Sequence, residues 1–194
     1  MGAVTIDEAM RLAPRADYLP PDSRSYAGED RPLSIGDGVT NSQPTTVRAM
    51  LELLAVEEGD RVLDVGSGSG WTTAIMAHLT GVNGSVVGVE LIPRLAREGG
   101  ERLRAAGLTH TSVVEADEGM LGVPAQAPFD RILVSAAADA LPEELVDQLA
   151  DGGRLVIPVR DRMVVVDRVG DQTRTRFAPG RYRFVPLRYG EAPA

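Results

Sequence analysis

Residues 5–13 carry Ile6, Ala9, Met10 and Ala13 at helical spacing, which predicts a short helix. Residues 14–44 hold Pro20, Pro21, Pro32, Gly36, Gly38 and Pro44 and show no sustained period. An ordered stretch of that length without regular structure is usually functional or disordered. From Pro44, which suits a first-turn position, Val47, Met50, Leu51 and Leu54 return to helical spacing. A strict alternation of element types follows. Arg61–Val65 reads as a buried strand, then come a glycine turn and a helix through Thr72–Leu79. Ser85–Glu90 is a strand, Pro93–Ala106 a helix ended by Gly107, and Thr111–Ala116 a strand. Asp130–Ser135 is a fourth strand, and Pro142–Leu149 a helix ended by Gly152-Gly153. Strands alternating with helices imply right-handed βαβ units and a parallel sheet. Arg154–Val159 and Met163–Val169, joined only by Arg160-Asp161-Arg162, are too close for a crossover and predict an antiparallel hairpin. The fold class is therefore α/β, a doubly wound, mostly parallel sheet with an antiparallel C-terminal edge.

On this frame the sharpest local signal is Val62-Leu-Asp64-Val-Gly66-Ser67-Gly68-Ser-Gly70-Trp71, at a strand-to-helix junction. Glycines there let a ligand approach the backbone and the helix N-terminus. The spacing is G-x-G-x-G rather than the G-x-G-x-x-G of the dinucleotide fingerprint. Any tight turn of this kind wants glycine, so the motif needs support. Glu90 supplies it, ending the second strand where a carboxylate can accept from ribose hydroxyls. A strand-end acid can also be merely solvated, but with the glycine turn it points to a nucleoside cofactor. Asp117 follows the third strand at the same sheet edge, where it either accepts from an adenine amino group or, with Glu118, forms an ordinary acidic loop.

Composition narrows the chemistry. The 194 residues contain no cysteine, and all 20 basic residues besides the two histidines are arginine. Thiolate, zinc–sulfur, Schiff-base and P-loop-lysine mechanisms are thereby excluded. His78 and His110 are too few for a multi-histidine metal centre and read as structural or surface residues. The N-terminus lacks a basic start with an apolar run, and nothing later reaches membrane-span length, so a cytoplasmic protein with no membrane contact is expected. Charge is uneven: residues 1–150 hold 11 Arg and 23 acids, residues 151–194 hold 9 Arg and 5 acids. An acidic body argues against nucleic acid as a partner and leaves room for one anionic ligand near the basic segment.

Further stretches carry a resemblance. The glycine turn with Asp64, the acid at Glu90, and Ala127-Pro128-Phe129-Asp130-Arg-Ile-Leu-Val-Ser-Ala-Ala-Ala138 resemble protein-L-isoaspartate O-methyltransferases. So do Asp30-Arg31-Pro32-Leu33-Ser34-Ile35-Gly36, Thr40-Asn41-Ser42-Gln43-Pro44, Gln148 through Val159, and Phe184-Val185-Pro186-Leu187. The glycine turn is common to class I, Rossmann-like methyltransferases; the Ile-Gly…Thr-x-Ser-x-Pro segment is more specific. The resemblance implies a single methyltransferase domain over 1–194, with an N-terminal segment and acceptor-site loop (1–44), a cofactor-binding core (45–159) and C-terminal antiparallel strands (160–194). It implies S-adenosyl-L-methionine as cofactor and methyl transfer to isoaspartyl proteins or peptides as repair, by a monomer. Gly66, Ser67, Gly68 and Gly70 would line the methionine end with Asp64 behind them. Glu90 would hold the ribose and Asp117 the adenine, with Leu91 and Glu118 also among the cofactor-binding residues. Ser42 matches the serine assigned as catalytic, and Thr40 its neighbour. The family's Gly-Gln-Thr-Ile-Ser is here Gly38-Val39-Thr40-Asn41-Ser42, and its glycine after Pro-Val is Arg160.

The implied reaction suits the inventory. A carboxylate is already ionised at neutral pH and needs no general base. What remains is holding it in line with a sulfonium methyl, about 3–3.5 Å away. Hydroxyls and backbone N–H groups of residues 36–44 can do this. Ser42 and Thr40 would otherwise be turn residues before the helix at Pro44. Two other readings stay open: a carboxyl methyltransferase for aspartyl residues of a dedicated peptide or a small-molecule carboxylate, and a non-catalytic cofactor-binding module. Trp71 either flanks the cofactor or packs; Arg174/Arg176 and Arg181/Arg183 show strand alternation typical of a solvated face; Arg188 sits near the cofactor cleft.

Overall fold

The computed structural model describes residues 3–117 and 119–189. Helix α1 (Ile6–Leu12) starts at a capping box, in which Thr5 and Glu8 satisfy each other's backbone N–H groups. A 3-10 turn (Arg15–Tyr18) and α2 (Pro21–Arg24) lead into a two-stranded antiparallel hairpin, β1 (Leu33–Gly36) and β2 (Val39–Asn41). This hairpin was not expected in the aperiodic 14–44 stretch, because three- and four-residue strands are too short to show a period. Helix α3 (Pro44–Leu54) opens with Pro44 at its first position, as expected, and its cap residue is Gln43 rather than Ser42.

The core is β3 (Arg61–Val65), α4 (Trp71–Thr80), β4 (Ser85–Glu90), α5 (Pro93–Ala105), β5 (Thr111–Glu115) and β6 (Phe129–Val134). After it come α6 (Glu143–Val146), β7 (Leu149–Val159), β8 (Arg162–Val169) and β9 (Gln172–Phe177). The seven strands β3–β9 run in the order β5-β4-β3-β6-β7-β8-β9. The first five are parallel and β8 and β9 antiparallel. This is the expected α/β sheet with an antiparallel edge. Connections leave β3 toward β4 on one side, and β6 lies on its other side. That reversal opens a crevice at the carboxyl ends of β3, β4 and β6.

Alternate side chains divide the core between the sheet's two faces. Val62, Val86, Leu133 and Val156 pack with α1, α3 and α4. Leu63, Val65, Val87 and Ile132 pack with Leu121 and α6 residues Leu145 and Val146 on the other. On the second face α6 is four residues long where the apolar spacing predicts a helix through Leu149. Leu149 instead begins β7, and Gly152-Gly153 lie within that strand rather than ending a helix. They form a bulge, since Phe129 pairs with Leu149 but Arg131 with Arg154. The β7–β8 hairpin turns at Arg160-Asp161, with Arg160 at φ +53°. Arg174 and Arg176 lie on the fully exposed β9, a solvated face as expected, whereas Arg181 and Arg183 lie outside any strand.

Candidate functional site

The glycine turn joins β3 to α4 with Gly66, Gly68 and Gly70 at φ +75°, +55° and +86°. L side chains avoid that region, so the three glycines are what lets the chain fold back on itself here. Gly66 N–H and Ser67 N–H donate to Val89 O at 2.9 and 3.1 Å, which ties the turn to the end of β4. Glu90 completes the tie. Its Oε2 accepts from Gly68 N–H at 2.8 Å and its Oε1 from Ile92 N–H at 2.9 Å. The side chain is buried, and burial pushes its pKa upward against those backbone bonds.

Below the turn, Asp64 is fully buried. Its Oδ2 accepts from Thr72 and Thr73 hydroxyls, both at 2.7 Å. Its Oδ1 has no partner among the described residues, and neither does the buried Ser67 Oγ. Desolvation pushes the Asp64 carboxyl up to about 6, against the two threonine bonds. Two unsatisfied buried polar atoms at one turn carry an uncompensated desolvation cost.

The turn forms one wall of a cavity of about 300 Å³. The β1–β2 hairpin and the residues after it form the facing wall, contributing Ile35, Val39, Thr40, Asn41 and Ser42. Arg94 at the start of α5 grips the hairpin tip, donating to Asp37 Oδ2 at 2.6 Å and Ile35 O at 2.8 Å. The segment Val185–Tyr189 closes a third side. It is held by Ala137 N–H to Val185 O (2.8 Å) and Leu187 N–H to Ala137 O (2.7 Å).

Of the residues singled out in the sequence, Thr40, Ser42, Gly66, Ser67, Gly68, Glu90 and Leu91 all line this cavity. Asp64 lies beneath it, and Gly70 behind it as the cap residue of α4. Asp117 is exposed and is not in the lining, although its neighbour Ala116 is. Glu118 lies outside the described residues. Trp71 both lines the cavity and packs, its indole N–H donating to Ala13 O at 2.9 Å. Arg188 lines the mouth, as the sequence suggested. His110 bonds Ala77 O at 3.0 Å, a structural role.

Sequence reasoning missed Arg15, Asn41 and Ser69. Arg15 is 6% exposed. Its guanidinium donates to the carbonyl oxygens of Ala27, Glu29, Arg31, Asn41 and Ser42 and to Asn41 Oδ1. No local pattern marks it, since its partners arrive from 12 to 27 positions away. Among the described residues no cluster suits a metal ion, and no helix is long and apolar enough to cross a membrane.

Comparison with known proteins places the chain in one family. The family profile described as Protein-L-isoaspartate(D-aspartate) O-methyltransferase (PCMT) matches residues 3–192. The chain is 42% identical over 187 residues to the protein-L-isoaspartate O-methyltransferase of Methanococcoides burtonii, covering 94% of this chain and 92% of the relative. It is 47% identical over 152 residues to that of Aeropyrum pernix, covering 78% of this chain but only 58% of the longer relative. A solved structure described as a putative protein-L-isoaspartate O-methyltransferase from Plasmodium falciparum, in complex with S-adenosyl-L-homocysteine, superposes with TM-score 0.83 at 26% identity. That match covers 94% of this chain and 89% of the other.

Proposed function

The chain belongs to the protein-L-isoaspartate(D-aspartate) O-methyltransferase family, and from that membership we propose that it is an S-adenosyl-L-methionine-dependent carboxyl methyltransferase that repairs isoaspartyl proteins or peptides. The observation that carries the reading is the opposition of two walls across one cavity. One is a glycine turn contributing Gly66, Ser67 and Gly68 with the buried Asp64 beneath it, the other a loop bearing Thr40 and Ser42.

The residues fit the cofactor. Gly66, Ser67, Gly68 and Gly70 would hold its methionine end, over the buried Asp64. Each Glu90 oxygen uses one lone pair on a backbone N–H, leaving the second for ribose hydroxyls. Leu91 would pack beside the ribose, with Asp117 assigned to the adenine amino group. When bound, the cofactor supplies an electrophilic methyl on a sulfonium.

The chain's own work is to present the acceptor. The isoaspartyl carboxylate is ionised at neutral pH, so no side chain has to remove a proton. The Ser42 hydroxyl, with Thr40 beside it, orients that carboxylate, and a neutral donor does so without quenching its nucleophilicity. Ile35, Val39, Trp71 and Leu187 make the site poor in water, which strengthens the charge interactions inside it. The same reading takes 1–194 as one methyltransferase domain, acting as a cytoplasmic monomer on protein substrates rather than on nucleic acid or membranes.

Labelled S-adenosyl-L-methionine offered to matched isoaspartyl and aspartyl peptides tests this. Base-labile label on the isoaspartyl peptide alone is the expected result, since methyl esters hydrolyse readily. Equal or reversed labelling overturns the repair reading, and cofactor binding without transfer to any carboxylate overturns the enzyme.

A further inference from the structure

One side-chain hydrogen bond joins the facing walls of the cavity, and a second anchors it from behind the loop wall. Asn41 Nδ2 donates to Ser69 Oγ at 3.2 Å, and Asn41 Oδ1 accepts from Arg15 Nε at 2.7 Å. Asn41 and Ser69 are both buried, and Ser69 sits between Gly68 and Gly70 in the turn. Arg15 Nη2 also reaches the carbonyl oxygens of Asn41, at 3.1 Å, and Ser42, at 2.9 Å. Its guanidinium lies 5.4 Å from the Trp71 ring centroid, against the first residue of α4. Among the described residues Arg15 forms no ion pair, so backbone carbonyls and one amide supply nearly all the solvation of a buried cation. The planar fork of arginine can hold several chain segments at fixed angles, which a lysine ammonium cannot.

We infer that Arg15, Asn41 and Ser69 form a buried relay that sets the distance between Ser42 and the cofactor turn, making Arg15 and Asn41 positioning residues for methyl transfer. This rests on the proposed roles of Ser42 and of the turn. The reason is geometric. Residues 39–43 comprise the three-residue β2 and the two residues after it, and among the described residues Asn41 to Ser69 is the side-chain hydrogen bond that ties them to the turn. In-line transfer tolerates little slack, because misplacement by about 1 Å costs on the order of a hundredfold in rate. A bond from the amide of Asn41 to the hydroxyl of Ser69 removes that slack one residue away from Ser42.

Asn41→Leu keeps the side-chain size and removes both bonds, while Ser69→Ala removes only the bond across the cavity. Amide hydrogen exchange of residues 39–43, read without cofactor, is expected to quicken about tenfold or more in each variant. Turnover on an isoaspartyl peptide is expected to fall about 10- to 100-fold, with the calorimetric Kd for S-adenosyl-L-homocysteine within about threefold of the parent. Adding Ser69→Ala to Asn41→Leu should change neither reading further, since the shared bond is already gone. Unchanged loop exchange in Ser69→Ala overturns the relay. So does a Kd that worsens in step with turnover, which would mean a distorted turn, or a multiplicative double variant. If the parent protein methylates no isoaspartyl peptide while loop exchange responds as stated, the acceptor assignment fails and the relay stands.

Discussion

At the scale of single residues, Glu90 lines the cavity and Asp64 lies buried beneath it, two carboxylates whose charge a cationic ligand in the cavity would feel. Burial raises both, Asp64 to about 6. A raised carboxyl pKa means that the folded protein binds more protons than the unfolded chain between the ordinary value of 3.8 and about 6. The contribution of Asp64 to stability therefore declines as pH rises through that window and is flat above it. Ligand binding runs the opposite way, because a cation favours the ionised form. Affinity for S-adenosyl-L-methionine should weaken as pH drops below about 6, and Asp64→Asn should flatten that profile and lower the plateau; calorimetry between pH 5 and 8 checks both. Glu90 and Ser42 should separate binding from turnover. Glu90→Ala removes charged hydrogen bonds of about 1.5–3 kcal/mol, so cofactor Kd should rise roughly 10- to 100-fold. Ser42→Ala should instead lower kcat by a similar factor and leave Kd within about threefold. Unchanged cofactor binding in Glu90→Ala removes Glu90 from the cofactor site.

Among the elements, β4 and the β7–β8 hairpin make the most specific demands. A Cβ on Gly88, in the middle of β4, would lie 2.9 Å from Ser67 Cβ and 3.2 Å from Thr73 Oγ1. Gly88→Ala should cost about 1–3 kcal/mol by overpacking and weaken cofactor binding by displacing the turn, while the sheet persists; thermal melts with calorimetry distinguish this from general unfolding. Arg160 occupies the left-handed region, where a non-glycine residue is strained by about 1–2 kcal/mol. Arg160→Gly should raise the melting temperature by roughly 2–4 °C, after the entropy lost to a freer unfolded chain is taken off. The strands β3 and β4 were legible because strands buried on both faces read as mostly apolar runs, such as Val62–Val65 around the single Asp64, whereas the edge strand β5 was placed by its position after α5 and Gly107. Helix α6 was not fully legible. Leu145, Val146 and Leu149 are all buried, and the same spacing is satisfied by a longer helix or by a short helix turning into a strand.

Over the whole molecule, residues 1–150 carry the excess of acids, and the basic segment after residue 150 supplies Arg188 to the cavity lining. Phosphate backbones are held by clustered cations, which this body lacks, so a labelled DNA or RNA duplex should show no binding below about 10 µM at about 150 mM salt in fluorescence anisotropy. The sequence by itself determined the order of elements, the parallel sheet with its antiparallel edge, and the glycine turn with Asp64 and Glu90. These follow from local periodicity and from backbone conformations that only glycine adopts easily. The family resemblance, rather than any local period, singled out Ser42 and Thr40, and both line the cavity. Only the tertiary structure decided that Asp117 lies outside the cavity lining, that Asp64 Oδ1 and Ser67 Oγ have no partner among the described residues, and that Asn41, held by Arg15, ties the two walls together. Burial and hydrogen-bond satisfaction are properties of surroundings, and the surroundings of Arg15 are carbonyls from 12 to 27 residues along the chain, which meet it only once the hairpin has folded over the crevice.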